Sequence, residues 1–154
     1  MTPDQSRAFL EWSDRQYADE HVRAGTWDAS DALARAKEET SMLLPRGPDT
    51  PDHFFRSVEQ DSPGERLGEV WYALQRAGQR TQAVVYWIGV HPRYRRQGVA
   101  TRVLRQVEEE ARKAGATRLL LSVFGDNSAA LALYAKLGVH VASATMVKPI
   151  GPGR

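Results

Sequence analysis

The chain contains no cysteine. That excludes a disulfide framework, a thiolate nucleophile and a zinc–thiolate centre, and it fits a cytoplasmic location. Neither sign of charge is in excess. With 21 Lys and Arg against 19 Asp and Glu, the net charge is +2, so no strong field for nucleic acid is implied. No apolar run approaches the ~20 residues that span a bilayer. The longest, Ala83–Val90 and Leu119–Phe124, have the length of strands, and no membrane role is expected. The opening Met1-Thr2-Pro3-Asp4-Gln5 lacks the basic-then-apolar pattern of a signal peptide. There is no internal repeat. His21, His53, His91 and His140 are scattered without ligand spacing, so no metal site is expected. What remains is ordinary: 154 residues, 42% apolar and 26% charged, enough for one core and one domain over residues 1–154.

The first third has helical periodicity. Phe9, Leu10, Tyr17, Ala18 and His21 or Val22 recur on one face, and Gly25 can stop that helix. A second helix begins at Asp28 or Ser30 and runs through Leu33, Ala36 and Leu43 to Pro45. Residues 45–51 form a loop by composition. The period then changes. His53–Gln60, Leu67–Leu74 and Ala83–Val90 read as strands, with turns at Asp61-Ser62-Pro63-Gly64 and Ala77-Gly78-Gln79. The third strand is nearly all apolar and therefore central. Gly98–Ala114 is an amphipathic helix whose inner stripe is Val99, Val103, Leu104, Val107 and Ala111. Arg118–Phe124 reads as a buried strand. Asn127–Leu137 is a short helix with Asn127 as N-cap, and Val139–Val147 supplies the last strand. Residues 149–154 read as a frayed end. The order ααβββαβαβ describes an α/β fold, a mixed central sheet flanked by helices.

The informative stretch is Val90-His91-Pro92-Arg93-Tyr94-Arg95-Arg96-Gln97-Gly98-Val99-Ala100-Thr101, between a buried strand and a helix. Gly98 permits close backbone approach, and the first helical turn offers unpaired N–H groups and the positive end of the helix dipole. Arg93, Arg95 and Arg96 add positive charge. Together these make an anion site suited to a pyrophosphate. The stretch is not a Walker A loop, because Gly-Lys-Ser/Thr is missing, nor a dinucleotide fingerprint, because the first two glycines are missing.

Arg95-Arg96-Gln97-Gly98-Val99-Ala100 resembles the Arg/Gln-x-x-Gly-x-Gly/Ala signature of the GNAT superfamily of N-acetyltransferases. Asn127-Ser128-Ala129-Ala130-Leu131-Ala132-Leu133-Tyr134-Ala135-Lys136-Leu137-Gly138 resembles that superfamily's second motif, Asn-x-x-Ala-x-x-Leu-Tyr-x-x-x-Gly. Tyr17, Glu20, Gly25, Trp27 and Leu43-Leu44-Pro45 are similar to one bacterial branch. The resemblance implies that acetyl-CoA enters a cleft where the strand before the signature splays from the next parallel strand. Backbone groups of Ile88 and Val90 would pair with the pantetheine arm, and the amides across Arg96–Thr101 would hold the pyrophosphate. Asn127 would contact the arm, and Tyr134 would give a proton to the departing thiolate. The oxyanion donor would be a backbone N–H near Ile88 or Gly89, where the family has a bulged strand.

Two departures from the family pattern matter. Many members carry a glutamate on the central strand as base, but here that segment reads Tyr86-Trp87-Ile88-Gly89-Val90, with Trp87 and Gly89 facing away from Tyr86 and Ile88 by alternation. Glu69 on the neighbouring strand is the first candidate base, and Glu20 on the first helix the second. His91 is a further but weaker candidate. Tyr17, Trp27, Trp71 and Trp87 are candidates to line an acceptor site, a small-molecule or peptidyl amine being the expected acceptor. The family also opens with a strand, yet only Met1–Asp4 precede the helical pattern. Either that strand is missing, or Met1–Asp4 is its remnant; the sheet is then shorter, or its edge is covered by a second copy in a homodimer. The competing class is an acyl-CoA-binding regulatory or pseudo-enzyme domain, motivated by the missing central-strand glutamate. A nucleic-acid binder rests only on Arg93, Arg95 and Arg96.

Overall fold

A computed structural model of the chain describes residues 1–61 and 64–152. Ser62 and Pro63 of the expected turn, and Gly153 and Arg154 of the expected frayed end, lie outside the described residues. The elements are α1 (Pro3–Arg23), α2 (Ala32–Leu43), β1 (His53–Glu59), β2 (Arg66–Ala77), β3 (Arg80–Val90), α3 (Val99–Lys113), β4 (Ala116–Leu121) and α4 (Ser128–Lys136), with short 3-10 turns at Gly47–Asp49 and Pro92–Tyr94. The chain divides into two compact units. The first holds residues 1–7 and 44–122, and the second holds 8–43 and 123 onward.

In the first unit the sheet order is β1-β2-β3-β4, antiparallel except for the parallel pair β3–β4. The β2–β3 hairpin turns at Gly78-Gln79, where Gly78 takes the left-handed conformation. The α3 stripe is as expected: Val99, Val103, Leu104, Val107 and Ala111 are all buried. Each large one contributes roughly 1.5–3 kcal/mol of hydrophobic stabilisation. On the face towards α3, the hydroxyl of buried Tyr72 donates to Glu110. Gly115, at φ +86°, lets the chain leave the helix.

In the second unit Ala18 of α1 packs against Ala32 and Ala36 of α2, with Val22 and Trp27 alongside. Small residues let the two helices approach closely. The inner stripe of α2 therefore differs from expectation, and Leu33 is 38% exposed. Asp14, buried on α1, accepts a hydrogen bond from Thr40 Oγ1 at 2.5 Å. Burial pushes its carboxyl above the usual range.

Three expectations are corrected. Val139–Val147 forms no strand, and Val141, Met146 and Val147 are exposed. A strand needs a partner ladder, and Ala142-Ser143-Ala144 is weak β-former sequence that supplies no packing to stand in for one. β4 begins and ends earlier than Arg118–Phe124 and is not buried: it is an edge strand paired only with β3, and Leu120 is 38% exposed. At the start, Thr2 and Gln5 exchange hydrogen bonds, with Thr2 N donating to Gln5 Oε1 and Gln5 N donating to Thr2 Oγ1. This is a capping box with Pro3 at the first helical position, so Met1–Asp4 opens α1 and is not a strand remnant, and the alternative that the first strand is missing holds.

Candidate active site

The β3–β4 ladder runs from Thr81↔Ala116 to Val85↔Leu121 and stops there. Tyr86–Val90 continue as strand against β2 on one side, with no partner strand on the other among the described residues. The ladder stops because β4 ends at Leu121, and it leaves one edge of β3 unpaired from Tyr86 to Val90 among the described residues. The bulge is displaced from its expected position. Trp71 pairs with Trp87 and Tyr72 with Val85, so Tyr86 is the extra residue. The bulge breaks the alternation: Tyr86 stacks at 4.7 Å on Trp71, on the face that Trp87 and Gly89 share, and not opposite them.

Beyond Val90 the chain makes a tight loop into α3. Arg96 and Gly98 both have positive φ, +61° and +76°. The first helical bond is Arg102 N to Gly98 O, so the amides of Val99, Ala100 and Thr101 precede the ladder and have no intrahelical acceptor. Gln97 Nε2 donates to Arg93 O, and Arg102 donates to Gln97 O, bracing the loop. The arginines divide their tasks. Arg93 lies 4.0 Å from Glu65 and over the Tyr94 ring, while Arg95 Nε donates to Val90 O at 3.0 Å. Exposed Arg96 has no ion pair among the described residues. A left-handed turn of exposed amides with a free guanidinium is an anion cradle.

The sheet face at Gly89 carries Trp87, Glu69 and His91. A Cβ on Gly89 would lie 2.8 Å from Trp87 Nε1, so the indole lies on the glycine. Glu69 pairs directly with Gly89 across the ladder, and its side chain is 12% exposed. Its Oε1 lies 3.3 Å from Arg66 Nε and 3.3 Å from His91 Nε2. Gly68 lets the strands close at this point: a Cβ there would lie 2.0 Å from the Gly89 carbonyl oxygen. Trp71 is built into the same sheet. Its Nε1 donates to His53 Nδ1 at 3.1 Å, and its ring packs on Phe55 and Tyr86.

In the second unit Asn127 caps α4, its Oδ1 accepting from Ala130 N at 3.1 Å. Tyr134, 9% exposed, lies in the same helix, and burial pushes its phenol above its usual value. Tyr17 and Trp27 come together at 5.3 Å with two residues the motifs did not single out. His21 stacks on Trp27 at 3.8 Å, and Phe124 meets His21 edge-on at 5.0 Å. Arg35 lies over the Trp27 indole, and Tyr17 donates to Glu39, which with burial pushes the phenol up to about 12. Glu20 is raised by burial, against the opposing pull of Arg23. Helical spacing puts His21 four residues after Tyr17, which is a legible signal. Phe124 had none, because it arrives from a distant segment.

The sequence profile of the Acetyltransferase (GNAT) family matches residues 7–139, most of the chain. The chain belongs to the GNAT acetyltransferase family. It is similar to the uncharacterized N-acetyltransferase YdgE of Bacillus subtilis, 31% identical over 97% of this chain and 95% of that protein. The crystal structure of YycN, a putative acetyltransferase of Bacillus subtilis, superposes with a TM-score of 0.90 at 31% identity, covering 99% of this chain and 96% of that one. A shorter stretch, 40% of this chain and 42% of the relative, is 39% identical to the [ribosomal protein bS18]-alanine N-acetyltransferase of Escherichia coli. As a GNAT protein the chain is an acetyltransferase enzyme of α/β fold. No helix among the described residues is long and apolar enough to cross a membrane.

Proposed function

We propose that this GNAT enzyme transfers the acetyl group of acetyl-CoA to a primary amine of a small molecule or a peptide, in the cytoplasm of a bacterium, the whole of residues 1–154 acting as one catalytic domain. The observation that carries the reading is the edge that β3 leaves unpaired from Tyr86 to Val90, past the end of β4, leading into the Arg96–Gly98 turn. Ile88, Gly89 and Val90 offer a free backbone edge for the pantetheine arm. Arg95, Arg96, Gln97, Gly98, Val99, Ala100 and Thr101 form the pyrophosphate cradle. Arg95 Nε donates to the Val90 carbonyl in the structure, and its guanidinium would be available to phosphate where the arm took that carbonyl. Asn127 contacts the arm, and its capping bond is compatible with that role.

Acetyl-CoA supplies an activated thioester. Tyr134 supplies a proton to the sulfur as the C–S bond breaks. Its raised pKa keeps the phenol protonated at neutral pH, as a donor requires. Tyr17, Glu20, Trp27, Trp71 and Trp87 line or support the acceptor side. The relative that acts on ribosomal protein bS18 supports a peptidyl amine within the acceptor class. A second copy covering the sheet edge is the oligomer this reading favours. The test is release of the coenzyme A thiol from acetyl-CoA with a panel of small and peptidyl amines. Amine-dependent release is expected, and cofactor binding without release on any amine would return the pseudo-enzyme reading.

A further inference from the structure

A lysine-type amine has a pKa of about 10.4 and is an ammonium at neutral pH, so attack on a thioester needs a group that removes its proton. Glu69 by itself is poorly placed for this. Its carboxylate is largely covered and already shared between a guanidinium and an imidazole at 3.3 Å. His91 is better presented. Its side chain is 44% exposed, and its backbone N–H, bonded at 2.8 Å to Leu67 O, fixes its position at the end of β3. Nε2 faces Glu69 Oε1 at 3.3 Å, and Nδ1 has no hydrogen-bond partner among the described residues, so the Nε2–H tautomer would turn its N–H to the carboxylate and leave the Nδ1 lone pair open.

Resting on the acetyl-transfer reading above, we propose that His91 removes the proton from the acceptor ammonium, and that Glu69 is the positioning carboxylate that holds the imidazole by Nε2 beside the Gly89 edge. His91 Nδ1 takes one proton from R–NH3⁺. The freed lone pair forms the C–N bond at the acetyl carbonyl, and the C–S electron pair leaves with sulfur. The second proton lost by nitrogen replaces the one that Tyr134 gives to sulfur, and imidazolium returns its proton to water. One acetamide, one thiol and one proton result. The charge on imidazolium faces the Glu69 carboxylate, whose other neighbour is Arg66 at 3.3 Å. The remaining charged groups around His91 come from the loop that follows. Arg93 and Tyr94 are engaged by Glu65, and Arg95 by the Val90 carbonyl.

The test compares the pH dependence of kcat/KM for wild type, His91→Gln, Glu69→Gln and Glu69→Asp, with acetyl-CoA affinity and melting temperature measured alongside. For His91→Gln the expected result is roughly a hundredfold loss of kcat near neutrality. Acetyl-CoA affinity stays unchanged, and the rate climbs with pH towards the amine's own range. Glu69→Gln loses kcat with KM for acetyl-CoA unchanged, and Glu69→Asp recovers part of it. Wild-type transfer with the same pH limb in His91→Gln overturns the dyad and leaves the acetyl-transfer reading standing. No transfer by the wild type to any amine overturns both. A loss that is equal at every pH and follows the melting temperature assigns His91 a structural role and also overturns the dyad.

Discussion

Replacing Gly68 with alanine tests the link between strand packing and the proposed site. The added Cβ would start 2.0 Å from the Gly89 carbonyl oxygen, and such contacts essentially never fall below 3.0 Å, so β2 and β3 must part by about 1 Å. Neither neighbour can yield cheaply, because the obstructing atom is backbone and not the tip of a flexible side chain. Overpacking of this kind costs typically 1–3 kcal/mol, or roughly 3–10 °C of melting temperature for a domain of this size. The displaced segment is the edge assigned to the pantetheine arm, and a misplacement of about 1 Å in what positions the reacting groups can cost a hundredfold in rate. Gly78→Ala is the control. Gly78 lies at φ +65° in the hairpin with nothing within 4 Å of its Cβ. It should lose about 1–2 kcal/mol to backbone strain with turnover per folded molecule intact. Thermal melts and thiol-release rates on both variants separate the two effects. A Gly68→Ala protein that melts and turns over like wild type would refute the close-approach reasoning.

Tyr134→Phe should lower kcat by about a hundredfold or more with little change in acetyl-CoA affinity measured by calorimetry; equal loss of both would count against the proton-donor role. Gly98→Glu places a strained residue at φ +76° and a carboxylate at the anion cradle, so acetyl-CoA binding should vanish while the melt shifts by only a few degrees. Normal affinity there would remove the cradle. Asp14 has a folded pKa above its unfolded value of about 3.8, so its contribution to stability is complete below that value and is lost as pH rises through the folded one. Asp14→Asn keeps the acceptor for Thr40 and should raise the melting temperature at pH 7, with the gain shrinking below pH 4; an unchanged or lower melt at pH 7 would contradict the burial cost.

The legible parts were those where one segment carries its own periodicity or chemistry. The α3 stripe, the hairpin at Gly78 and the Asn127 cap are local patterns, and each is where its residues placed it. The capping box of Thr2 and Gln5 is equally local, and it decides between a missing first strand and a remnant at Met1–Asp4. What escaped depends on pairing. The bulge at Tyr86 is a relation between two strands, so alternation along one of them sent Tyr86 to the wrong face. Residues 139–147 alternate like a strand, yet a strand is defined by its neighbour. Glu69 is legible from its place on the strand beside the central one, and Arg66 is its local i,i+3 neighbour, but its approach to His91 crosses the β2–β3 hairpin.

The central claim is that a free β3 edge beside an anion cradle serves acetyl transfer to nitrogen. Mass spectrometry of amines and peptides incubated with the protein and acetyl-CoA tests it most directly. An amine should gain one acetyl group for each coenzyme A thiol released, and Gly98→Glu should abolish both. Acetyl-CoA bound at the edge with no amine acetylated would contradict it.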